Sequence, residues 1–150
     1  MNTMPYDQFT RSLPMVLYRT LDAVMPRFRR IFSEFDLTEQ QWRVLRVLWE
    51  TDHSMIGELS EVTLLPAPSL VGIVDRLEER GLVARQRSTE DRRKVYVLAT
   101  AAGAALEAQI MPRVASAYAD LKQSVDAHTW AAVLAGLRQI SAEGGVERSE

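Results

Sequence analysis

The chain of 150 residues contains no cysteine and only two histidines. The absence of cysteine excludes disulfides, thiolate metal sites, cysteine nucleophiles and thiol-based redox sensing. The two histidines, His53 and His128, lie far apart in the sequence and do not suggest a metal centre. We therefore expect neither a metal site nor any other cofactor.

The sequence also lacks the segments and motifs of several large protein classes. No apolar run approaches the roughly 20 residues needed to span a bilayer, and the first residues lack the basic-then-apolar layout of a signal peptide. No G-x-S-x-G, P-loop, H-E-x-x-H or dinucleotide-binding motif occurs. We expect a single cytoplasmic domain over residues 1–150, with no membrane partner and no enzymatic activity.

Positive charge is concentrated in one segment of an acidic chain. The formal net charge is −2, yet residues 80–94 carry +4, which leaves −6 for the rest of the chain. A local basic patch favours a site for a polyanion, although a solvated run of charges would look the same in the sequence. The positive residues of this basic segment are Arg80, Arg85, Arg87, Arg92, Arg93 and Lys94, opposed only by Glu90 and Asp91.

The periodicity of apolar residues predicts a mainly α-helical protein with one β-hairpin. Pro14 and Pro26 predict a break or kink in the first, long helix, and Gly81 suits the left-handed end of the fourth. Helices three and four, joined by a tight connection and followed by a hairpin, are typical of a winged helix-turn-helix. The expected N-caps of the second, fifth and sixth helices are Thr38, Thr100 and Asp126. Six helices are expected over residues 6–35, 38–50, 55–62, 68–80, 100–125 and 126–142, with strands over 82–87 and 94–99.

The fourth predicted helix has one apolar face and one small or polar face. Small residues near a helix N-terminus let its backbone approach a major groove, where hydroxyl, methyl and arginine groups can read phosphates or base edges. A glycine inside a helix costs about 1 kcal/mol relative to alanine, so Gly72 suggests either contact with DNA or close helix packing. The inward face is formed by Leu70, Ile73, Val74 and Leu77, and the outward face by Pro68, Ser69, Val71, Gly72 and Arg76.

The predicted hairpin turn offers a reason for the cluster of positive charge. Arg92 and Arg93 fall at the tip, beyond the reach of most core carboxylates, and Asp91 can orient one of them by a salt bridge. Arginines at such a tip suit a narrow minor groove, where the negative potential is strongest. We therefore predict that double-stranded DNA is the partner of Arg87, Asp91, Arg92, Arg93 and Lys94.

Residues 73–103, IVDRLEERGLVARQRSTEDRRKVYVLATAAG, resemble the core of the MarR (multiple antibiotic resistance regulator) family. The D-x-R element of the family's wing matches Asp91 and Arg93. The segments LTEQQWRVLRVL and PSLVGIVDRLEERGLV are similar to the branch that regulates homoprotocatechuate and related aromatic catabolism. The family's closing V-x-L-T-x-x-G element matches Val97, Thr100 and Gly103.

The resemblance implies a homodimer built from helices at about 6–35 and 100–142, with a DNA-binding lobe at about 37–99. It also implies a repressor that places two lobes on a palindromic operator and is released by a small aromatic carboxylate or phenolic ligand. An arginine beside aromatic side chains can hold an aromatic carboxylate through a bidentate pair and ring stacking. Candidate ligand residues, where the dimerisation helices meet the lobe, are Tyr18, Arg19, Trp42, Arg43, Arg46 and Arg113.

Alternative interpretations remain open at this point. The winged helix could serve as a protein-interaction module, although a tip with two arginines argues against it. The regulator could also act without a ligand, since arginines on dimerisation helices more often form intersubunit salt bridges. The sequence does not distinguish a repressor from an activator.

Overall fold

The computed structural model describes residues 6–145 and contains seven helices and two strands within that range. The order confirms a mainly helical chain with a two-stranded wing, whereas the expectation of six helices is wrong. No helix of the described range is long and apolar enough to cross a membrane. The elements are α1 (Asp7–Thr10), α2 (Leu13–Glu34), α3 (Glu39–Glu50), α4 (Ile56–Thr63), α5 (Ala67–Glu79), β1 (Val83–Arg87), β2 (Val95–Ala99), α6 (Ala101–Lys122) and α7 (Ala127–Gly145).

The additional helix arises from a break near the N-terminus. Ser12 is extended, with φ −63° and ψ 144°, and its hydroxyl donates to the carbonyl oxygen of Phe9 at 2.8 Å. Pro14 follows in the first turn of α2, where its missing N–H removes no helical hydrogen bond. Pro26 stays inside α2. The predicted break therefore lies just before Pro14 and splits the first helix into α1 and α2.

α3 is the buried helix around which its neighbours pack. It begins at a reciprocal cap, in which the Gln41 N–H donates to Thr38 Oγ1 at 3.1 Å and the Thr38 N–H donates to Gln41 Oε1 at 3.0 Å. This cap satisfies two N–H groups that have no partner inside the helix. Val44, Leu45 and Leu48 are at most 2% exposed. The predicted cap is confirmed.

α4 and α5 form the helix-turn-helix. α4 ends at Leu64, which has a left-handed φ of 58°, and Pro68 lies in the first turn of α5. Gly81 follows α5 with φ +71°, a conformation that other residues rarely adopt. The predicted inward face of α5 is confirmed. Its four residues are each at most 3% exposed, namely Leu70, Ile73, Val74 and Leu77.

The two strands form the wing. β1 and β2 pair antiparallel from Val83 opposite Ala99 to Arg87 opposite Val95. Ser54 adds a one-residue bridge to the base of this hairpin, because its N–H donates to Val97 O at 2.9 Å and the Val97 N–H donates to Ser54 O at 2.8 Å. The wing is therefore anchored to the connection between α3 and α4, which the sequence did not predict.

A close contact joins the start of α6 to the base of the wing. Thr100 caps α6 as predicted, since its hydroxyl oxygen accepts the Gly103 N–H at 3.1 Å. A Cβ atom on Gly103 would lie 2.3 Å from the carbonyl oxygen of Leu82, so only glycine fits at this position. The Trp49 indole N–H donates to the Gly103 carbonyl oxygen at 3.1 Å. These contacts bring α3, α6 and the residue before β1 together.

The chain divides into two compact units, residues 1–114 and 115–150. In the second unit, the Asp126 carboxylate caps α7 by accepting the Thr129 hydroxyl at 2.6 Å and the Thr129 N–H at 2.9 Å. These two hydrogen bonds lower the pKa of the Asp126 carboxyl because they favour its charged form, and the bond from the Thr129 hydroxyl has the larger effect. The Tyr118 and Trp130 rings meet edge to face, with centroids 5.6 Å apart. The predicted cap of the last helix is therefore present.

Candidate nucleic-acid interface

The outward face of α5 carries small or exposed residues. Pro68, Ser69, Val71 and Arg76 are exposed, and Gly72 is half-buried. A Cβ atom on Gly72 would meet only the Nη2 atom of Arg76 within 4 Å, at an ordinary contact distance of 3.6 Å. Packing within the described chain therefore does not require glycine at this position. The face leaves the helix backbone open to close approach by another molecule.

Two arginines of the basic segment are used inside the fold. Arg80 donates to the carbonyl oxygens of Phe35 at 3.0 Å and Asp36 at 2.6 Å, just beyond the end of α2. Arg85 pairs with the Asp75 carboxylate of α5 at 2.7 Å. These two arginines stabilise connections between elements and are not free to bind a polyanion.

The wing turn is held by hydrogen bonds among its own charged residues. The Arg87 guanidinium donates to the carbonyl oxygen of Arg92 at 2.8 Å. Asp91 Oδ1 accepts the Arg93 N–H at 3.1 Å and the Arg93 Nε–H at 3.2 Å, so the salt bridge suggested by the sequence is present. These two hydrogen bonds, and then the charge of Lys94, lower the pKa of the Asp91 carboxyl, because all three favour its charged form.

Three positive side chains of this surface are unengaged. Arg76 on α5 and Arg92 and Lys94 on the wing are exposed, and their side chains make no hydrogen bond or ion pair with any described residue. Free cations on both elements can bind phosphate groups without first breaking an internal contact. The recognition surface is therefore defined here as the outward face of α5 together with the wing tip.

Trp42 belongs to an aromatic cluster formed by α2 and α3. Its ring stacks on Phe32, with centroids 4.6 Å apart and planes 20° apart, and meets Trp49 edge-on at 5.6 Å. Trp49 lies two turns after Trp42, a spacing that could have indicated the pair, but no local signal points to Phe32. Tyr18 and Arg19 are exposed on α2, about 21 Å along the helix axis from Phe32. The structure does not bring them to the aromatic cluster.

Arg43 lies on the side of α3 that faces α4. Its guanidinium pairs with Glu39 at 3.0 Å and donates to the carbonyl oxygen of Thr63 at 3.3 Å. Among the described residues, no aromatic side chain lines the cavity of about 330 Å³ beside Arg43. This cavity is lined by Thr38, Glu39, Gln40, Arg43 and Leu65.

The remaining two candidate arginines also have carboxylate partners. Arg46 pairs with Glu50. It lies one turn after Trp42, so the two side chains share a face of α3. Arg113 on α6 pairs with Glu34 at the end of α2. The guanidinium carbon of Arg113 also lies 5.9 Å from the centroid of the Phe35 ring. Arg46 is the candidate arginine that shares a helical face with Trp42.

Comparison with known proteins identifies close sequence relatives. Residues 37–95 match the model of the MarR family. The chain is 36% identical over 111 residues to the homoprotocatechuate degradative operon repressor of Escherichia coli, which covers 74% of this chain and 75% of that protein.

Two solved structures share the fold over nearly the whole chain. The transcriptional repressor CouR bound to a 23-mer DNA duplex has a TM-score of 0.84 and 27% identity, covering 93% of this chain and 99% of that one. NadR in complex with 4-hydroxyphenylacetate has a TM-score of 0.75 and 29% identity, covering 93% of this chain and 97% of that one.

Proposed function

The chain belongs to the MarR family and is a DNA-binding transcriptional repressor rather than an enzyme; from this premise we propose that it occupies a palindromic operator as a homodimer and leaves it when a small aromatic acid binds. The recognition surface, the exposed apolar face of the first helices and the aromatic cluster each support one part of this proposal.

The observation that carries the proposal is free positive charge on two separate elements, with Arg76 on α5 and Arg92 and Lys94 on the wing. An α-helix of about 10–12 Å diameter fits a major groove about 12 Å wide. A hairpin tip that carries arginine suits the narrower minor groove. Double-stranded DNA is the polyanion that offers both grooves side by side.

A second copy of the chain is needed to read both halves of a palindrome. Phe9 on α1 and Leu13, Leu17 and Leu21 on α2 are exposed, and the three leucines recur every four residues along one stripe. Burial of such surface against a second copy is favourable by about 25 cal/mol per Å². Two lobes one helical turn apart, about 34–36 Å, would then match two half-sites on one side of the duplex.

The proposed inducer is an aromatic acid that carries a ring hydroxyl. NadR is bound to 4-hydroxyphenylacetate, and the Escherichia coli relative represses a homoprotocatechuate degradative operon. In this chain Trp42 offers an aromatic face, and Arg46, one turn away, offers a cation for the carboxylate. A difference of about 1–3 kcal/mol between the ligand's affinities for the two states would release DNA roughly 5- to 150-fold.

The substitution Arg92→Ala tests the recognition surface. Because one phosphate contact is lost, operator affinity should fall and the slope of log K against log salt should decrease by about one unit. Arg138→Ala is the matched control, because Arg138 is an exposed arginine on α7 and its replacement removes the same charge. Gel-shift titrations at several salt concentrations measure both quantities. Equal effects of the two substitutions would remove the wing tip from the DNA interface.

A further inference from the structure

Arg85 is the positive residue of the basic segment with the most internal contacts. Its side chain is 27% exposed, with Nη2 at 2.7 Å from Asp75 Oδ1 and Nη1 at 3.2 Å from Glu78 Oε1. Its backbone N–H also donates to Glu78 Oε2 at 2.9 Å. Arg85 therefore holds two carboxylates of α5 from the middle of β1.

These contacts lie where they can control the direction of the wing. Asp75 and Glu78 are three residues apart, hence neighbours on one face of α5, and the planar guanidinium can reach both at once. Leu82 fixes the root of the wing through its N–H, which donates to Leu77 O at 3.0 Å. Arg85 adds a second attachment to α5 farther along the strand, while the bridge between Ser54 and Val97 holds the opposite strand at the same level. The wing therefore does not pivot freely about its root.

The length of the wing makes this second attachment important. A strand of five residues is about 17 Å long, so a rotation of about 10° at its root would move the tip by about 3 Å. A shift of that size exceeds the range over which a hydrogen bond to a phosphate survives. The positions of Arg92 and Lys94 relative to α5 therefore depend on what holds the base of the wing.

The charge of Arg85 is not itself available to DNA. Two carboxylates surround its guanidinium, so Arg85, Asp75 and Glu78 together carry a formal charge of −1. We propose that Arg85 is a positioning residue for DNA binding, which locks the wing against α5 so that Arg92 and Lys94 reach the duplex while α5 occupies the major groove. This role rests on the mode of DNA binding proposed above.

A thermodynamic cycle tests the proposal. The double substitution Arg85→Gln with Asp75→Asn removes the ion pair and leaves the net charge unchanged. It is made in the unmodified chain and in a chain whose wing tip is neutralised by Arg92→Gln and Lys94→Gln. The probe is a duplex that the unmodified chain selects from a random library, and its dissociation constant is measured at one salt concentration.

A positioning role predicts that the two backgrounds respond differently. The double substitution should weaken binding about tenfold when the tip is intact, and less than about twofold when the tip is neutral, because a misplaced tip matters only while it carries charge. Arg85→Lys should give an intermediate loss, since an ammonium group cannot span both carboxylates as the guanidinium does. If the double variant melts well below the unmodified chain, Arg85→Lys is compared across the two backgrounds instead.

Two results would overturn the role of Arg85. An equal loss in both backgrounds would mean that Arg85 acts through α5 or through stability, and no loss in either would mean that the wing needs no such attachment. Failure of the proposed mode of binding would be seen differently. In that case the unmodified chain would select no duplex, or neutralisation of the tip alone would leave its affinity unchanged, and the role of Arg85 would fall with it.

Discussion

At the scale of single residues, Gly72 and Gly103 both lie inside helices, but their surroundings limit a side chain very differently. A Cβ atom on Gly103 would lie 2.3 Å from the backbone oxygen of Leu82, a distance that real Cβ atoms essentially never show. A Cβ atom on Gly72 would touch only the flexible end of Arg76, at 3.6 Å. Gly103 is therefore required by the fold, whereas Gly72 is better explained by what approaches α5 from outside.

The two glycines should respond oppositely to replacement by alanine. Gly103→Ala should destabilise the chain by about 1–3 kcal/mol, because the backbone of Leu82 or the start of α6 must shift. Gly72→Ala should stabilise it by up to about 1 kcal/mol, since alanine favours the helix and meets no obstacle. Urea denaturation followed by circular dichroism measures both. A loss of stability in Gly72→Ala would show that this glycine serves packing after all.

At the scale of elements, the wing turn is stabilised by the charged form of the Asp91 carboxylate, which accepts two hydrogen bonds from Arg93. Hydrogen bonds from the Arg93 N–H and then the Arg93 side chain lower the pKa of Asp91 below its usual range. A lowered pKa in the folded state means that the contact contributes fully above the pKa of an unfolded aspartate and is lost as the pH falls through the folded value. The turn should therefore keep its order throughout the neutral range and lose it only in acid.

The titration of Asp91 checks this account of the wing. Its carboxyl carbon, followed by NMR, should titrate below the usual range of aspartate in the unmodified chain. In Arg93→Ala the midpoint should rise only in part, because the backbone N–H of residue 93 still donates to the carboxylate. A midpoint that is the same in both proteins would mean that the Arg93 side chain does not hold Asp91 in solution.

The elements also show how far local sequence signals reach. The Thr38 cap, the buried face of α5 and the hairpin were predicted because each depends on residues a few positions apart. The extra helix was missed because the break depends on the extended backbone of Ser12, whereas the sequence offered two prolines as equal candidates. Local signals of this kind locate elements well and their interruptions less well.

The candidate site was harder to predict because its contacts are distant in the sequence. The sequence assigned Arg87, Arg92, Arg93 and Lys94 to DNA without distinguishing among them, but Arg87 donates to the carbonyl oxygen of Arg92 and Arg93 pairs with Asp91. In the same way, the partner of Trp42 is Phe32 on another helix, and Arg43 turns toward α4. Only the fold separates cations that hold the structure from those that remain free.

At the scale of the whole molecule, exposed apolar surface on α2 argues for a second copy. Near the start of α2, Leu13 is 45% exposed, Leu17 is 36% exposed and Leu21 is 55% exposed. Near its end, Phe32 is only 2% exposed. The same stripe is thus buried toward the end of α2 and uncovered toward its start. A repeated leucine stripe left in water is costly for a monomer, and a symmetric contact with a second chain would cover it.

Charged residues in this stripe should therefore change the assembly. Leu17→Glu with Leu21→Glu should convert a dimer into monomers or aggregates, because two carboxylates cannot be buried without partners. Asp22→Lys is the control, since Asp22 lies on the opposite side of α2 and its replacement should leave the dimer intact. Size-exclusion chromatography with light scattering gives the mass. A soluble double variant that keeps the mass of a dimer would place the interface elsewhere.

The proposed release of DNA by an aromatic acid would link the aromatic cluster to the recognition surface through α3. Among the described residues, Arg46 is paired only with Glu50, whose side chain is 65% exposed, and a surface pair of this kind contributes little to stability. In the proposed mechanism, the ligand carboxylate replaces Glu50 as the partner of Arg46 while the ligand ring lies against Trp42. Arg43 is engaged differently, because it binds the backbone of Thr63 at the end of α4.

The two arginines of α3 should thus separate ligand response from DNA binding. With 4-hydroxyphenylacetate as the probe, Arg46→Ala should keep operator affinity within about twofold and lose the roughly 5- to 150-fold release expected of the unmodified chain. Arg43→Ala should still respond to the acid but bind the operator more weakly, because the end of α4 loses a contact. An alcohol with the same ring but no carboxylate should not release DNA from the unmodified chain or from Arg43→Ala. If Arg43→Ala loses the response and Arg46→Ala keeps it, the carboxylate partner is Arg43, on the side of α3 that faces α4.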